Sequence, residues 1–413
     1  MRSLLREYLK IEKPVFFAIV AEFFLQLINA SFMTIQPLYL KSEHFSDGQC
    51  ADFISYRFLG VLLFALPLGL IIKGRKLKNM FIISSLMVPL FSILIIYAIN
   101  IHHLFLIYCS QFLWGSSFAF IQIAILPYIL RNAKLETQIG AIALSYSTYS
   151  FGSIVSGCMI ALFNFIDPIF FNEKNILFLI SFLGFFSFYF ILKIKPHETV
   201  PSITKKRRDI SDFDWKIIFK ALTPTLIIAI GAGLTIPFIS LFFANVHHMT
   251  TGDIGLLNSI ASILVALGAF YVPKIKREIG YTVAIPLTQS LAIVALILLA
   301  TTQYYNELPF AIYVAIACFL LRQPLMNMAG PMTSDVVMSY VGKRNQEMVS
   351  ALTSAIWSGS WFISSLIFMV LRNEGFAYVN VFMITAYIYI VGVIWYYFLV
   401  KAYAKRMVKE ASC

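Results

Sequence analysis

Polar and apolar positions along this chain fall into long blocks. Stretches of about twenty or more mostly apolar residues alternate with short charged turns. A bilayer's hydrocarbon core is about 30 Å thick, and about 20 helical residues at 1.5 Å rise cross it. The blocks predict twelve spans, at 14–40, 51–72, 79–100, 104–130, 138–163, 175–192, 217–245, 254–273, 280–301, 308–336, 345–371 and 376–400. The longest charged connector, Lys193 to Lys216, contains Lys205, Lys206, Arg207 and Arg208 and falls almost at the midpoint. It divides the spans six and six. The fold class expected is an all-α membrane protein of two pseudo-symmetric six-helix bundles. Its domains are an amphipathic N-terminus (1–13), a first bundle (14–192), a basic linker (193–216), a second bundle (217–400) and a tail (401–413).

Composition narrows the class. With 60% hydrophobic and 13% charged residues in 413, the chain is no ordinary soluble globule, and the spans leave no room for a separate soluble domain. The net charge of +12 is a topology signal: 27 of 32 Lys and Arg lie on the side holding both termini and the linker. Three lie opposite (Lys41, Lys174, Arg372) and two within spans (Arg57, Arg322). The positive-inside rule places both termini in the cytoplasm of a multi-pass cell (inner) membrane protein, and no nucleic-acid partner is expected. Leu4, Leu5, Tyr8, Leu9 and Ile11 among basic residues suit a helix lying on the cytoplasmic leaflet. The first apolar run is too long for a signal peptide and continues into Gln36-Pro37-Leu38-Tyr39-Leu40. Cys50, Cys109, Cys158, Cys318 and Cys413 are scattered, which argues against a disulfide framework or a thiolate metal site.

The halves repeat weakly. A shift of 208 residues lays Ala143-Leu144-Ser145 over Ala351-Leu352-Thr353, Tyr149-Ser150 over Trp357-Ser358 and Gly115 over Gln323. Spans two and eight both end in a glycine and a basic turn: Gly69 before Lys73-Gly74-Arg75-Lys76, and Gly268 before Lys274-Ile275-Lys276-Arg277. On these features the chain resembles the major facilitator superfamily. Gly69, Gly74, Arg75 and Lys76 match its signature after span two, with Lys73 near the place of the aspartate. In the span-four signature Gln111 stands for the arginine, three residues before Trp114-Gly115. In the span-five signature Gly152 and Gly157 remain, without the proline. The resemblance implies transport by alternating access, with spans one, four, seven and ten lining a cavity. Glu22 and Arg322 would then face each other across the halves.

An ionisable group deep in a span costs about 2.5–3.5 kcal/mol and usually marks a pathway. Glu22, in span one, is the candidate proton-coupling and substrate-binding carboxylate, and Arg322, in span ten, pairs with it or anchors an anion. The alternative is a static buried ion pair, or a Glu22 held neutral by a hydroxyl neighbour. Arg57, six residues into span two, is expected to snorkel to the external face. Gln26 and Asn29 share Glu22's helix face, being four and then three residues further on. Gln111, Trp114, Gln323 and Asn327 add polar groups in spans four and ten, while Tyr146, Tyr149 and Trp357 offer rings for a flat solute. Most of the 39 Phe and 21 Tyr face lipid or fill helix contacts. Pro224, Gly231, Gly233 and Pro237 interrupt span seven, as gating elements or as close-packing points. Asp335 is expected to latch to a loop arginine. The histidines near the external face (His44, His102, His103, His247, His248) read as solvated loop residues, so no metal is expected.

No nucleotide-binding loop, Ser-His-Asp order or metalloprotease motif occurs, so neither an enzyme nor a cofactor is expected. The expectation is a monomeric secondary transporter working among membrane lipids on a small-molecule substrate, with protons as coupling ion and efflux of lipophilic or cationic compounds. A proton-coupled importer of an organic, possibly anionic, nutrient and a lipid flippase stay open as alternatives.

Overall fold

The computed structural model describes residues 11–71, 75–194, 213–342 and 345–411. It is 89% helical, without strands among the described residues. The helices are α1 (Lys13–Ser42), α2 (Asp47–Ile71), α3 (Lys78–Asn100), α4 (Leu104–Asn132) and α5 (Leu135–Ile166). Next comes α6 (Glu173–Gly184, continued by Phe186–Leu192), then α7 (Trp215–Thr235 and Ile239–His247, around a 3-10 turn at Ile236–Phe238). Thr251–Thr301 is one 51-residue helical stretch, broken at Gly280 (φ 66°, ψ 168°) into α8 before it and α9 after it. The last three are α10 (Ala311–Val341), α11 (Gln346–Asn373) and α12 (Tyr378–Ala411). Among the described residues eleven stretches, all the helices but α2, are long and apolar enough to cross a bilayer. Residues 1–10 of the expected N-terminal helix (1–13), Lys73, Gly74 and Lys205–Arg208 lie outside the described residues.

Two boundaries differ most from expectation. The basic segment after span eight is helical, with Lys274 and Glu278 pairing across one turn at 3.8 Å. Lysine, arginine and glutamate are good helix formers, so charge alone does not end a helix; Gly280, at positive φ, does. Residues 401–411, expected as a tail, prolong α12.

The chain separates into two compact units. One falls within Met1–Lys206 with Thr250–Ser259, the other within Arg207–Met249 with Ile260–Cys413. In unit 1, α2 packs on α4 through backbone. A Cβ on Gly115 would lie 2.0 Å from the Arg57 carbonyl oxygen, and one on Gly60 would lie 2.3 Å from that of Phe112. Small residues permit such approach where lipid offers no hydrophobic driving force between helices. A Cβ on Gly157 would meet the Gly255 carbonyl at 2.2 Å, which ties the first turns of α8 to α5. Ser259 Oγ donates to the Ile154 carbonyl in the same seam, at 2.8 Å. In unit 2, α7 packs on α11 and α12: Gly231 lies under the Tyr389 ring and Gly233 beside Ser364. Pro224 sits within the helix without ending it, and the helix changes character only at Pro237.

Candidate functional site

Glu22 lies about 13 Å along α1 and is 6% exposed. Ser145 of α5 donates its hydroxyl to Glu22 Oε2 at 2.6 Å. Thr148, whose hydroxyl donates to the Ser145 carbonyl at 2.7 Å, places a second hydroxyl against the carboxyl. Within unit 1 the carboxyl thus faces hydroxyls, and no ion pair to it is formed there among the described residues. Further along the same face, Asn29 Nδ2 donates to Gln26 Oε1 at 3.1 Å. A Cβ on Gly152 would stand 3.0 Å from the Gln26 carbonyl carbon, and the Ser31 and Ser156 hydroxyls meet at 2.6 Å. These contacts form a polar seam between α1 and α5, and Tyr146 and Tyr149 stand exposed on α5 beside it.

Arg57 departs from expectation. It does not snorkel: at 2% exposure it is among the largest fully buried side chains. Because α2 begins at Asp47, Arg57 lies about 15 Å along it rather than near its end. Gln111 Oε1 accepts from Arg57 Nε at 3.3 Å and from Nη2 at 3.2 Å, and Gln36 Oε1 accepts from Nη2 as well. The guanidinium carbon lies 4.4 Å from the Trp114 ring centre and 5.5 Å from that of Phe32. Trp114 donates its indole N–H to Ser92 at 2.8 Å. Gln111 and Trp114, expected to face a solute, are therefore buried around Arg57.

In unit 2, Arg322 is 1% exposed and donates from Nη2 to the Tyr389 hydroxyl at 3.4 Å. Asn327 Nδ2 donates to the Gln323 carbonyl at 2.8 Å, while Trp357 is exposed and edges against Trp361. Asp335 is latched by Lys276, at 3.0 Å, and by the Tyr281 hydroxyl, not by an arginine. These partners flank Gly280, so the carboxylate spans the break between α8 and α9. Of the signature after span two, Gly69 lies in the last turns of α2 and Lys76 is exposed. The Arg75 carbonyl accepts from Arg131 at 2.9 Å.

At the start of α1, Glu12 caps α5: it accepts from the Lys134 amide at 3.2 Å and the Thr137 hydroxyl at 2.8 Å. Partial burial pushes the Glu12 pKa up, but hydrogen bonds from backbone and Thr137, with the Lys134 charge, outweigh it. The carboxyl is held below its ordinary range. Sequence reasoning missed Ser145, Thr148 and the Arg57 cluster. Ser145 alone left a trace, in the repeated Ala-Leu-Ser/Thr triplet.

Long apolar helices in two compact units, with isolated charges buried in them, define a multi-pass membrane protein. A family model, the Major Facilitator Superfamily, matches residues 15–365, and the chain belongs to that family. Among solved structures it is similar to the nucleoside transporter NupG, with TM-score 0.76 and 12% identity over 94% of this chain and 99% of that one. It is also similar to the POT family transporter PepTSo, with TM-score 0.74 and 13% identity over 95% and 98%. A third is a D-xylose-proton symporter, with TM-score 0.70 and 13% identity over 93% and 96%. A comparison with curated proteins finds no match.

Proposed function

We propose that this protein is a proton-coupled secondary transporter that moves a small organic solute by alternating access and exports lipophilic or cationic compounds. The observation carrying this reading is Glu22, a buried carboxyl of α1 that receives the Ser145 hydroxyl at 2.6 Å. A carboxyl set among hydroxyls takes up and releases a proton without breaking an ion pair, as a coupling site requires. Such intramembrane acids are the usual parts of proton relays. The Gln26–Asn29 amide pair and the exposed Tyr146 and Tyr149 rings supply polar and flat contacts for an amphipathic cation. Gln323, Asn327 and Trp357 are the polar and aromatic groups offered by unit 2. Inward proton movement is driven by about 2.3 kcal/mol per 100 mV.

In proteoliposomes, a pH gradient drives movement of tetraphenylphosphonium by the wild type. Glu22→Gln, which keeps the shape and an acceptor for Ser145, removes the gradient's effect. Undiminished gradient-driven movement in Glu22→Gln would discard the coupling role.

A second reading, proton-coupled import of an organic anion, draws on Arg322. Its one hydrogen bond among the described residues of unit 2 is 3.4 Å long, which leaves donors for a carboxylate. Under that reading Arg322→Ala raises the KM for a labelled monocarboxylate such as benzoate at least tenfold. An unchanged KM and maximal rate removes it.

A further inference from the structure

Arg57 is a fixed positive charge in the apolar middle of unit 1, and what surrounds it there is neutral. Its hydrogen-bond acceptors are the side-chain oxygens of Gln36 and Gln111, and its stacking partners are Trp114 and Phe32. Aromatic faces attract a cation but bring no net charge. The acids of the same helix are engaged elsewhere: Asp47 pairs with Lys41 at 3.1 Å, and Asp52 accepts from Tyr108 at 2.5 Å. Among the described residues Arg57 makes no ion pair. A buried guanidinium without a counter-charge is among the costliest groups a protein interior can hold.

A second observation has the same sign. Arg57 Nη1, Gln36 Nε2 and Gln111 Nε2 are buried and have no hydrogen-bond partner among the described residues. Each amide nitrogen sits on the carbon whose oxygen already holds the guanidinium, so all three belong to one cluster. All three are donors. A ligand that answers three donors is an acceptor. A water molecule fits poorly, because it is neutral and brings two hydrogens of its own, while Gln111 Oε1 already accepts twice from Arg57 and Gln36 Oε1 once. An anion accepts from every side and supplies the absent charge as well.

We propose that the Arg57–Gln36–Gln111 cluster is a binding site for a small monovalent anion of halide size, held between α1, α2 and α4. It takes its N–H donors from Arg57, Gln36 and Gln111, and its charge offsets Arg57 within unit 1. The site is independent of the coupling role given to Glu22.

The test is thermal unfolding of the purified full-length protein, titrated with sodium chloride at constant ionic strength against sodium gluconate. Chloride raises the wild-type Tm saturably, by about 2–4 °C at roughly tenfold over its Kd. Gluconate, too large for the cluster, has no such effect. Arg57→Gln removes the response. Gln111→Glu supplies the charge covalently, so this variant starts at the higher Tm without chloride and does not respond to it. Should Arg57→Gln fail to fold, Gln111→Glu decides alone. A wild type indifferent to chloride overturns the proposal, as does a gluconate effect equal to chloride's or a full chloride response in Gln111→Glu. Stabilisation by acetate and benzoate but not by chloride also overturns it, since the site would then belong to the carboxylate of an organic solute.

Discussion

Among the described residues each unit buries one arginine in a long helix, Arg57 in α2 and Arg322 in α10, and the two are held differently. Arg57 has two amide oxygens and two aromatic faces around it, and the backbone of α4 lies against its own carbonyl. Arg322 has one phenol at 3.4 Å. Equal burial therefore does not mean equal commitment. A cation with most of its donors aimed at protein groups is part of the framework, whereas a cation held by one long bond keeps nearly all its donors for something that arrives. Glu22 belongs with the second kind, since a single strong hydroxyl contact and a neighbouring threonine leave it free to exchange a proton.

The largest effect is expected where the framework around Arg57 is tightest. Gly115→Leu puts a side chain where even a Cβ would lie 2.0 Å from the Arg57 carbonyl, and overpacking of this severity costs about 3 kcal/mol or more. Size-exclusion chromatography of the detergent-extracted variant should show loss of the monodisperse peak. A normal yield with an unchanged melt would mean that α2 and α4 are further apart than this packing requires.

A matched pair of substitutions measures the difference between the arginines directly. Arg57→Met strands the Gln36 and Gln111 amides and lowers stability by about 1–3 kcal/mol. Arg322→Met removes a charge that is little engaged and stays within about 1 kcal/mol of wild type. Thermal melts of the two variants under one condition read the contrast, and equal losses would erase it.

A smaller effect is expected at Glu12, outside the spans. Its folded-state pKa is lowered, so its contribution is present above the ordinary carboxylate range and lost as pH falls through the folded value. Because the group is only partly buried and its bonds lie at the surface, the contribution is a few tenths of a kcal/mol. Wild type and Glu12→Gln should therefore differ slightly in melting at pH 7 and coincide near pH 3. A gap that widens on acidification would reverse the sign.

Much of the fold was legible because bilayer thickness imposes a length on apolar runs that no other environment demands. The spans were read within a few residues, and the face shared by Glu22, Gln26 and Asn29 followed from helical spacing. Two things escaped. Lys274–Glu278 resembled a loop because of its charge, yet helix propensity governs there and Gly280 makes the break. Arg57 was misplaced because the first polar turn of α2, Asp47–Cys50, was counted as loop, which shortened its depth by four residues. Its partners lie 21 residues before it and 54 after it. No local pattern encodes contacts at such separation; only the packing of α1, α2 and α4 creates them.

The central claim is that the α1 carboxyl moves the proton, and proton release on substrate binding tests it most directly. Purified protein in lightly buffered detergent solution is mixed with tetraphenylphosphonium while the external pH is recorded. The account predicts release approaching one proton per bound cation for wild type and none for Glu22→Gln with binding retained. Equal release from both would contradict it.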